Sequence, residues 1–267
     1  MKTLCVMNLK GGTGKTVTAD NLADLLAADH GKRVLLIDAD HQGNTSRFFL
    51  QEAEIASTVG DILTGESEPY WPESVYHTGH EGLDLIPADM SLAELDALPV
   101  RDPRAVWRLR EFLLAVAEDG AYDYVVIDMP PAFSLAARAA LAAADEVIVP
   151  IKLDAFSVSG MAELLRQIEA MRRVNPGLTL AGVLITMWRN IDIITQAERV
   201  LRTGSFPVFQ TVIRRTDRVD ESTFQCQPLR VYSPRSAACV DYRALAREYL
   251  ERGKDLLLSG HRRVAAI

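Results

Sequence analysis

Seven short apolar runs recur along the chain, and most are separated by longer stretches with helical spacing. The runs cover residues 3–9, 33–39, 83–87, 124–129, 146–151, 180–187 and 208–213. The helical stretches cover residues 15–29, 102–118, 134–144, 157–174, 195–202 and 240–258. Several runs are continuously apolar rather than alternating, which is typical of strands covered on both faces. The pattern predicts an α/β fold, a doubly wound, mostly parallel sheet with helices on both faces.

Local signals mark some element ends and one irregular stretch. Asp102 followed by Pro103 predicts a helix N-cap with proline at the first helical position. The Asn-Pro-Gly sequence at 175–177 predicts the end of the helix before it. Residues 65–82 are the least regular part, and we interpret them as a surface loop, with a dedicated partner site as the alternative. No internal repeat or low-complexity linker divides the chain, so we expect one domain over residues 1–267.

Composition excludes several classes of protein. The apolar fraction of 48% and the charged fraction of 24% are ordinary for a globular protein with a large core. The formal net charge of -7 argues against a uniformly basic surface, although it leaves room for a local basic patch. The cysteines at positions 5, 226 and 239 form neither a C-x-x-C pair nor a zinc-ligand spacing. We see no signal-peptide pattern and no apolar stretch of about 20 residues, and we expect a cytoplasmic protein with reduced thiols.

A glycine-rich segment at residues 10–16 follows the first predicted strand and opens the first predicted helix. Its residues are Lys10, Gly11, Gly12, Thr13, Gly14, Lys15 and Thr16. In this context glycines allow backbone N–H groups to surround phosphate oxygens, and the helix N-terminus favours the same anion. Lys15 would reach the β- and γ-phosphates of a nucleotide, and the Thr16 hydroxyl would bind Mg²⁺. A chance match is expected only about 10⁻⁴ times per chain, and a dinucleotide loop would need G-x-G-x-x-G spacing.

The segment departs from the strict phosphate loop at its start. Leu9 stands where that loop has glycine, and Lys10 follows it. This departure resembles the deviant phosphate loop of the ParA/MinD family of ATPases, in which a signature lysine lies at this place. The resemblance implies a P-loop NTPase fold. The absence of glycine at position 9, together with a late Pro-Arg-Ser element, favours the ParA type over the MinD type.

Four later segments extend the resemblance over about 230 residues. Residues 34–45 resemble the family's second motif, with His41 in place of the usual proline; the matching residues are Asp38, Asp40, Gln42, Gly43 and Asn44. Residues 122–131 resemble the Walker B strand and second switch. Residues 213–221 resemble a late family segment, with Arg214 at the proline position; the matching residues are Ile213, Arg215, Arg218 and Glu221. A Pro-Arg-Ser element then follows Ser233, where the family has aspartate.

The resemblance implies ATP and Mg²⁺ as cofactors and assigns roles to single residues. The implied catalytic residues are Lys10, Lys15 and Asp40. The implied metal-binding residues are Thr16, Asp40 and, through water, Asp128. The implied adenine-binding residues are Met187 and Arg215. Asp40 would position the attacking water, Asp38 would support its loop, and Lys10 would reach the nucleotide of a second subunit in trans. The alternatives are that either aspartate only caps a turn and that Lys10 is a solvated lysine.

The family also implies partners. We expect a homodimer on ATP binding, sequence-independent binding to nucleoid DNA, and a DNA-binding adaptor of the ParB type that stimulates hydrolysis. The candidate DNA-binding residues are Arg189, Arg199, Arg202, Arg214 and Arg218. Solvated surface charge is the alternative for each of them.

Two other functions use the same kind of core. A MinD-like positioning ATPase needs an amphipathic C-terminal anchor, and residues 259–267 have only a short apolar end, so we do not expect membrane binding. A metabolic ATP-dependent enzyme, such as a small-molecule ligase, stays open as an alternative. An iron–sulfur reductase does not fit, because Cys5 lies within a predicted strand and the other cysteines fall outside the matching positions.

Overall fold

The computed structural model describes residues 1–51, 53–65, 71–97, 102–154 and 157–264. Within these ranges the strands form one eight-stranded sheet in the order β3-β4-β2-β5-β1-β6-β7-β8. The strands are β1 (Lys2–Val6), β2 (Val34–Asp38), β3 (Tyr76–His80), β4 (Leu83–Ile86), β5 (Tyr124–Asp128), β6 (Glu146–Lys152), β7 (Thr179–Trp188) and β8 (Val208–Arg214). Only β3 runs antiparallel to its neighbour among these pairs. The prediction of a mostly parallel, doubly wound sheet is confirmed.

The parallel register brings three strand ends to one level. Asp128, the last residue of β5, is paired in register with Val6 of β1 and with Asp38 of β2. Each of these strands is buried along its length, apart from the first residue of β1 and β5. Loops that leave the carboxyl ends of β1, β2 and β5 therefore start beside one another, which is where such sheets bind ligands.

Helices cover both faces of the sheet. They are α1 (Lys15–Ala28), α2 (Asn44–Leu50), α3 (Val59–Thr64), α4 (Ser91–Ala97), α5 (Ala105–Glu118), α6 (Leu135–Ala143), α7 (Ser157–Met171), α8 (Asp192–Arg202), α9 (Asp217–Phe224), α10 (Leu229–Tyr232) and α11 (Ala237–Val264). Alternate residues of the strands belong to different clusters: Val125 and Ile127 pack with α3 to α7, whereas Val126 packs with α1, α2, α10 and α11. No helix in the described part of the chain is long and apolar enough to cross a bilayer.

The interpretation of residues 65–82 as a surface loop is wrong in part. Residues 71–74 form a 3₁₀ helix, and Tyr76–His80 form β3, an edge strand antiparallel to β4. A register shift between His77 and His80, with Gly79 at a φ of 77°, breaks the alternation that would have marked a strand. Residues 66–70 lie outside the described residues.

Several predicted helix bounds are also corrected. Helix α5 begins at Ala105, because Asp102 accepts a hydrogen bond from the backbone N–H of Arg104 in a preceding turn, at 2.8 Å, instead of capping the helix. Helix α7 ends at residue 171, α8 begins at residue 192, and α11 begins at residue 237 and continues to residue 264. Helices α2, α3, α4, α9 and α10 were not predicted, since each has at most eight residues and too few turns to show helical periodicity.

The core makes a direct prediction about stability. Leu36 in β2 is fully buried, so Leu36→Ala should lower the free energy of unfolding by about 2–5 kcal/mol through lost transfer energy and a residual cavity. Leu114→Ala is the matched control, because this leucine of α5 is 55% exposed, and its effect should stay within about 0.5 kcal/mol. Urea unfolding followed by circular dichroism measures both. Equal effects of the two variants would contradict the assigned layers.

Candidate functional site

The phosphate-loop segment lies between β1 and α1, as predicted. Gly12 and Gly14 have φ angles of 70° and 82°, a region that other residues rarely adopt. Gly14 is the N-cap residue of α1 and has no side chain that could cap the helix. The first N–H groups of the helix therefore remain available to an anion. The Thr13 carbonyl accepts a hydrogen bond from the Thr186 hydroxyl of β7 at 2.8 Å, which fixes the loop against the sheet.

The two lysines of the loop occupy different environments. Lys15 is buried, and its Nζ lies 3.4 Å from the backbone oxygen of Lys10. Burial lowers the pKa of Lys15, and the nearby carboxylates Asp128 and Asp40 oppose that shift. Lys10, by contrast, is 44% exposed and its ammonium forms an ion pair with Asp154, just beyond the end of β6. Only Lys15 is therefore enclosed with the carboxylates of the site.

Asp38 supports the loop that carries Asp40. The Asp38 carboxylate is fully buried and accepts hydrogen bonds from the backbone N–H and hydroxyl of Ser46 and from the backbone N–H of Asp40, at 2.9, 2.7 and 3.1 Å. Burial raises the pKa of Asp38 to about 6, against the hydrogen bonds from Ser46. Asp40 accepts from the backbone N–H of Gln42 at 3.0 Å, and His41 lies 3.6 Å from its carboxylate. Asp40 thus has the turn contact that the capping alternative requires, which leaves its catalytic role a prediction.

Asp128 has an unsatisfied oxygen. Its Oδ2 lies 3.2 Å from the Thr45 hydroxyl, whereas the buried Oδ1 has no hydrogen-bond partner in the described part of the chain. Burial, followed by the charge of Asp38, raises the pKa of Asp128 to about 8, while a hydrogen bond from the Thr16 side chain and the charge of Lys15 oppose that shift. An orphaned carboxylate oxygen beside a threonine hydroxyl fits a magnesium-bound water, since Mg²⁺ uses few carboxylates together with waters and nucleotide phosphates. The described residues contain no group of three His, Cys, Asp or Glu that would bind a metal alone.

A cavity of about 260 Å³ lies on the other side of the loop. Both predicted adenine-binding residues, Met187 and Arg215, line it, and Gly14 connects it to the phosphate loop. The other lining residues are Val17, Lys152, Thr186, Ile213, Arg214, Thr216, Val219, Asp220 and Tyr242. Met187 has a φ of 52°, which is strained for a residue other than glycine. The hydrogen bond from the Arg215 N–H to the Trp188 carbonyl, at 3.0 Å, holds the two sides of the cavity together.

The candidate DNA-binding arginines divide into two groups. Arg202 pairs with Glu198 and donates to the Phe209 carbonyl, both at 2.9 Å. Arg214 binds the Asp241 carboxylate of α11 through two nitrogens, so the residue at the family's proline position ties β8 to that helix. Arg218 pairs with Glu221. Arg189 and Arg199 are exposed and have no ion-pair partner in the part of the chain that the structure describes.

Sequence reasoning missed several residues of this site. Asp20 and Thr45 form a hydrogen bond beside Asp128, and Asp154 pairs with Lys10. Asp20 lies one turn after Thr16, a spacing that could have indicated a position on the same face of α1. Asp154 is 144 positions from its partner and lies in no motif, so only the fold could find it.

Comparisons with known proteins agree with this geometry. A family model described as an AAA domain matches residues 1–180. The chain is 37% identical over 259 residues to the chromosome partitioning protein ParA of Caulobacter vibrioides (strain NA1000 / CB15N), covering 96% of each chain. It is 35% identical to the sporulation initiation inhibitor protein Soj of Bacillus subtilis (strain 168) over 261 residues, covering 94% of this chain and 99% of that one.

Among solved structures, the chain is similar to cobyrinic acid a,c-diamide synthase from Mycobacterium smegmatis with bound ADP and magnesium. The TM-score is 0.80 at 28% identity, and the match covers 95% of this chain and 96% of that one. The likenesses therefore extend over nearly the whole chain and are not confined to the phosphate loop.

The buried Asp20 generates a pH prediction. Burial, followed by the charge of Asp128, raises the pKa of Asp20 well above its usual value, so folding favours its neutral form. The contribution of neutral Asp20 to the free energy of unfolding is fully present below the unfolded pKa of about 3.9. That contribution is lost as pH rises through the folded pKa. Asp20→Asn should therefore match the wild-type free energy of unfolding near pH 4 and exceed it at pH 8.

Urea unfolding in metal-free and nucleotide-free buffer at the two pH values measures this difference. Glu111→Gln, an acid-to-amide change at an exposed position of α5, is the control. A lower stability of Asp20→Asn at pH 8 than at pH 4, relative to wild type, would contradict the sign of the shift.

Proposed function

Because the chain belongs to the ParA family of ATPases, we propose that its use of ATP and Mg²⁺ drives a partitioning switch. ATP binding closes a dimer, the dimer binds DNA without sequence preference, and a ParB-type adaptor stimulates hydrolysis and release. The cargo is a chromosome region, a plasmid or a mobile element. The observation that carries this proposal is the separation of Lys10 from Lys15, since it leaves one loop lysine at the surface where a second subunit can meet it.

The site residues divide the chemistry between them. The N–H groups at the start of α1 bind phosphate oxygens. Lys15, which is buried beside these groups, neutralises part of the negative charge of the phosphates. Thr16 and Asp128 would hold magnesium, Asp128 through water, and the ion would supply positive charge next to the nucleotide phosphates. Asp40, at the end of the loop that Asp38 fixes, orients the attacking water.

The dimer places Lys10 against the nucleotide of the second subunit. In one subunit the ammonium of this lysine pairs with Asp154, outside the enclosed part of the site. An ion pair between partly exposed groups contributes little stability, so exchanging Asp154 for a triphosphate across an interface costs little. Positive charge then reaches the transferred phosphoryl group only in the dimer, which couples hydrolysis to assembly.

DNA binding uses a local basic surface on an acidic protein. The net charge of -7 makes binding depend on a few arginines and on screening by salt. Arg189, just after β7, and Arg199, on α8, are exposed residues without a described ion-pair partner and are the leading contacts. Arg218 can contribute by exchanging Glu221 for phosphate, whereas Arg202 and Arg214 are held by internal bonds.

A metabolic function remains the second candidate because of one observation. The synthase from Mycobacterium smegmatis has the same fold at 28% identity over nearly its full length. Two relatives at 37% and 35% identity carry partition or sporulation names instead, which favours the switch. An ATP turnover that rises with an amide-forming substrate and ignores DNA would favour the ligase class.

Residues 265–267, at the end of the tail considered for membrane binding, lie outside the described residues.

Lys10→Ala tests the role in trans. This variant should bind ATP with wild-type affinity, because Lys15 and the backbone N–H groups remain, and should lose about 10³–10⁵ in stimulated turnover per site. Equilibrium binding of a fluorescent ATP analogue and steady-state phosphate release measure the two effects. Asp154→Ala is the control, since it removes the partner of Lys10 but keeps the lysine. Wild-type turnover in Lys10→Ala would refute the role in trans.

DNA binding is the experiment that tests the proposed function most broadly. A non-specific duplex should bind with ATP and not with ADP or without nucleotide, at a stated salt concentration. Arg189→Ala and Arg199→Ala should each weaken that binding equally for all sequences and lower the salt slope by about 1 per lost phosphate contact. Arg110→Ala, an exposed arginine on α5, is the control. Binding that ignores the nucleotide would remove the switch.

A further inference from the structure

Three buried side chains connect α1, the helix that follows the phosphate loop, to β5. Asp20 of α1 is 4% exposed and lies one turn after Thr16. The hydroxyl of Thr45, in the first turn of α2, donates to Asp20 Oδ1 at 2.8 Å and lies 3.2 Å from Asp128 Oδ2. Thr45 itself is fully buried, so both contacts lie away from bulk solvent. None of the roles assigned above uses Asp20 or Thr45.

The hydroxyl of Thr45 cannot satisfy both carboxyl groups. A threonine hydroxyl carries a single hydrogen, and the shorter contact identifies Asp20 as its acceptor. Asp128 consequently receives no strong hydrogen bond from Thr45, and its second oxygen has no partner in the described part of the chain. Without an acceptor at position 20, the same hydroxyl would turn to Asp128, since the other carboxyl oxygen within its reach is Asp128 Oδ2 at 3.2 Å.

We propose that Asp20 is a positioning residue for magnesium. By accepting the Thr45 hydrogen, it keeps Asp128 available to the water shell of the ion. The proposal rests on the assignment of Asp128 to magnesium made above and adds a residue to it. In this view Asp20 touches neither nucleotide nor metal and acts through Thr45 alone.

The same contact fixes the start of α2, which follows the loop of Asp40. Thr45 is bound to α1 through Asp20, and the next residue, Ser46, is bound to β2 through Asp38. The Ser46 hydroxyl also accepts a hydrogen bond from the backbone N–H of Ala88 at 2.9 Å. Loss of the Asp20 contact therefore leaves α2 attached through Ser46, so the main effect of that loss falls on Asp128 rather than on the fold.

Magnesium titrations of nucleotide binding test the proposal without relying on turnover. The readout is binding of a fluorescent ATP analogue as a function of Mg²⁺ concentration, with a parallel measurement in EDTA. Asp20→Ala should raise the Mg²⁺ concentration at half-maximal binding by about tenfold, the effect of one hydrogen bond, and should leave binding in EDTA unchanged. Asp20→Asn should behave like wild type, because the amide oxygen still accepts from Thr45.

A double variant separates positioning from lost charge. Asp20→Ala combined with Thr45→Val should return the Mg²⁺ requirement toward wild type, because no hydroxyl remains to occupy Asp128. A purely electrostatic effect of Asp20 would instead appear in Asp20→Asn and persist in the double variant. Should Asp20→Ala not fold, Asp20→Leu fills the space without an acceptor and must give the same shift. Asp29→Ala, at the exposed C-cap position of α1, is the matched control.

Asp128→Asn separates a failure of the magnesium assignment from a failure of the role proposed for Asp20. If it leaves the Mg²⁺ requirement unchanged, the magnesium assignment fails, and with it the premise of this proposal. If Asp128→Asn raises the requirement but Asp20→Ala and Asp20→Leu do not, the assignment stands and the role of Asp20 is wrong. A tenfold shift in the alanine variant that the double variant reverses, with Asp20→Asn normal, supports the role.

Discussion

The burial of carboxyl groups at one edge of the sheet is the constraint on which the rest of the structure depends. Asp38 and Asp128 are fully buried, Asp20 nearly so, and among the described residues Lys15 is the cation enclosed with them. Charged carboxylates removed from water are costly unless they are hydrogen-bonded, paired or near a metal. Hydrogen bonds satisfy Asp38, whereas Asp128 keeps an unsatisfied oxygen. The site is therefore arranged for the charge of magnesium and for phosphates that bind it.

Parallel strands bring these groups together through short connections. Because β1, β2 and β5 end at the same level, the phosphate loop, the Asp38 loop and Asp128 meet without long connections. The two loop lysines then lie at different places, Lys15 within the site and Lys10 at its surface with Asp154. In the proposed function, hydrolysis needs the first lysine and the coupling to a second subunit needs the other. The same edge thus carries both the buried carboxyl groups and a partly exposed ion pair.

The local parts of this account could be predicted from sequence. The phosphate loop depends on adjacent residues and on backbone freedom at Gly12 and Gly14, and buried strands produce long apolar runs. The edge strand β3 could not be recognised, because its shifted register and polar side chains mask the alternation. The arginines could be counted, but their ion pairs could not. The bond of Arg214 to Asp241 joins residues that are 27 positions apart on different elements, and only the packing of α11 on β8 brings them together.

A crystal structure with magnesium and a non-hydrolysable ATP analogue tests the central claim most directly. The account predicts phosphates against the N–H groups of residues 11–16, a magnesium-bound water on Asp128, and the base between Met187 and Arg215. It also predicts a two-fold dimer in which Lys10 has left Asp154 for the partner subunit's nucleotide. A nucleotide bound elsewhere, or an ion whose water shell does not touch Asp128, would contradict it.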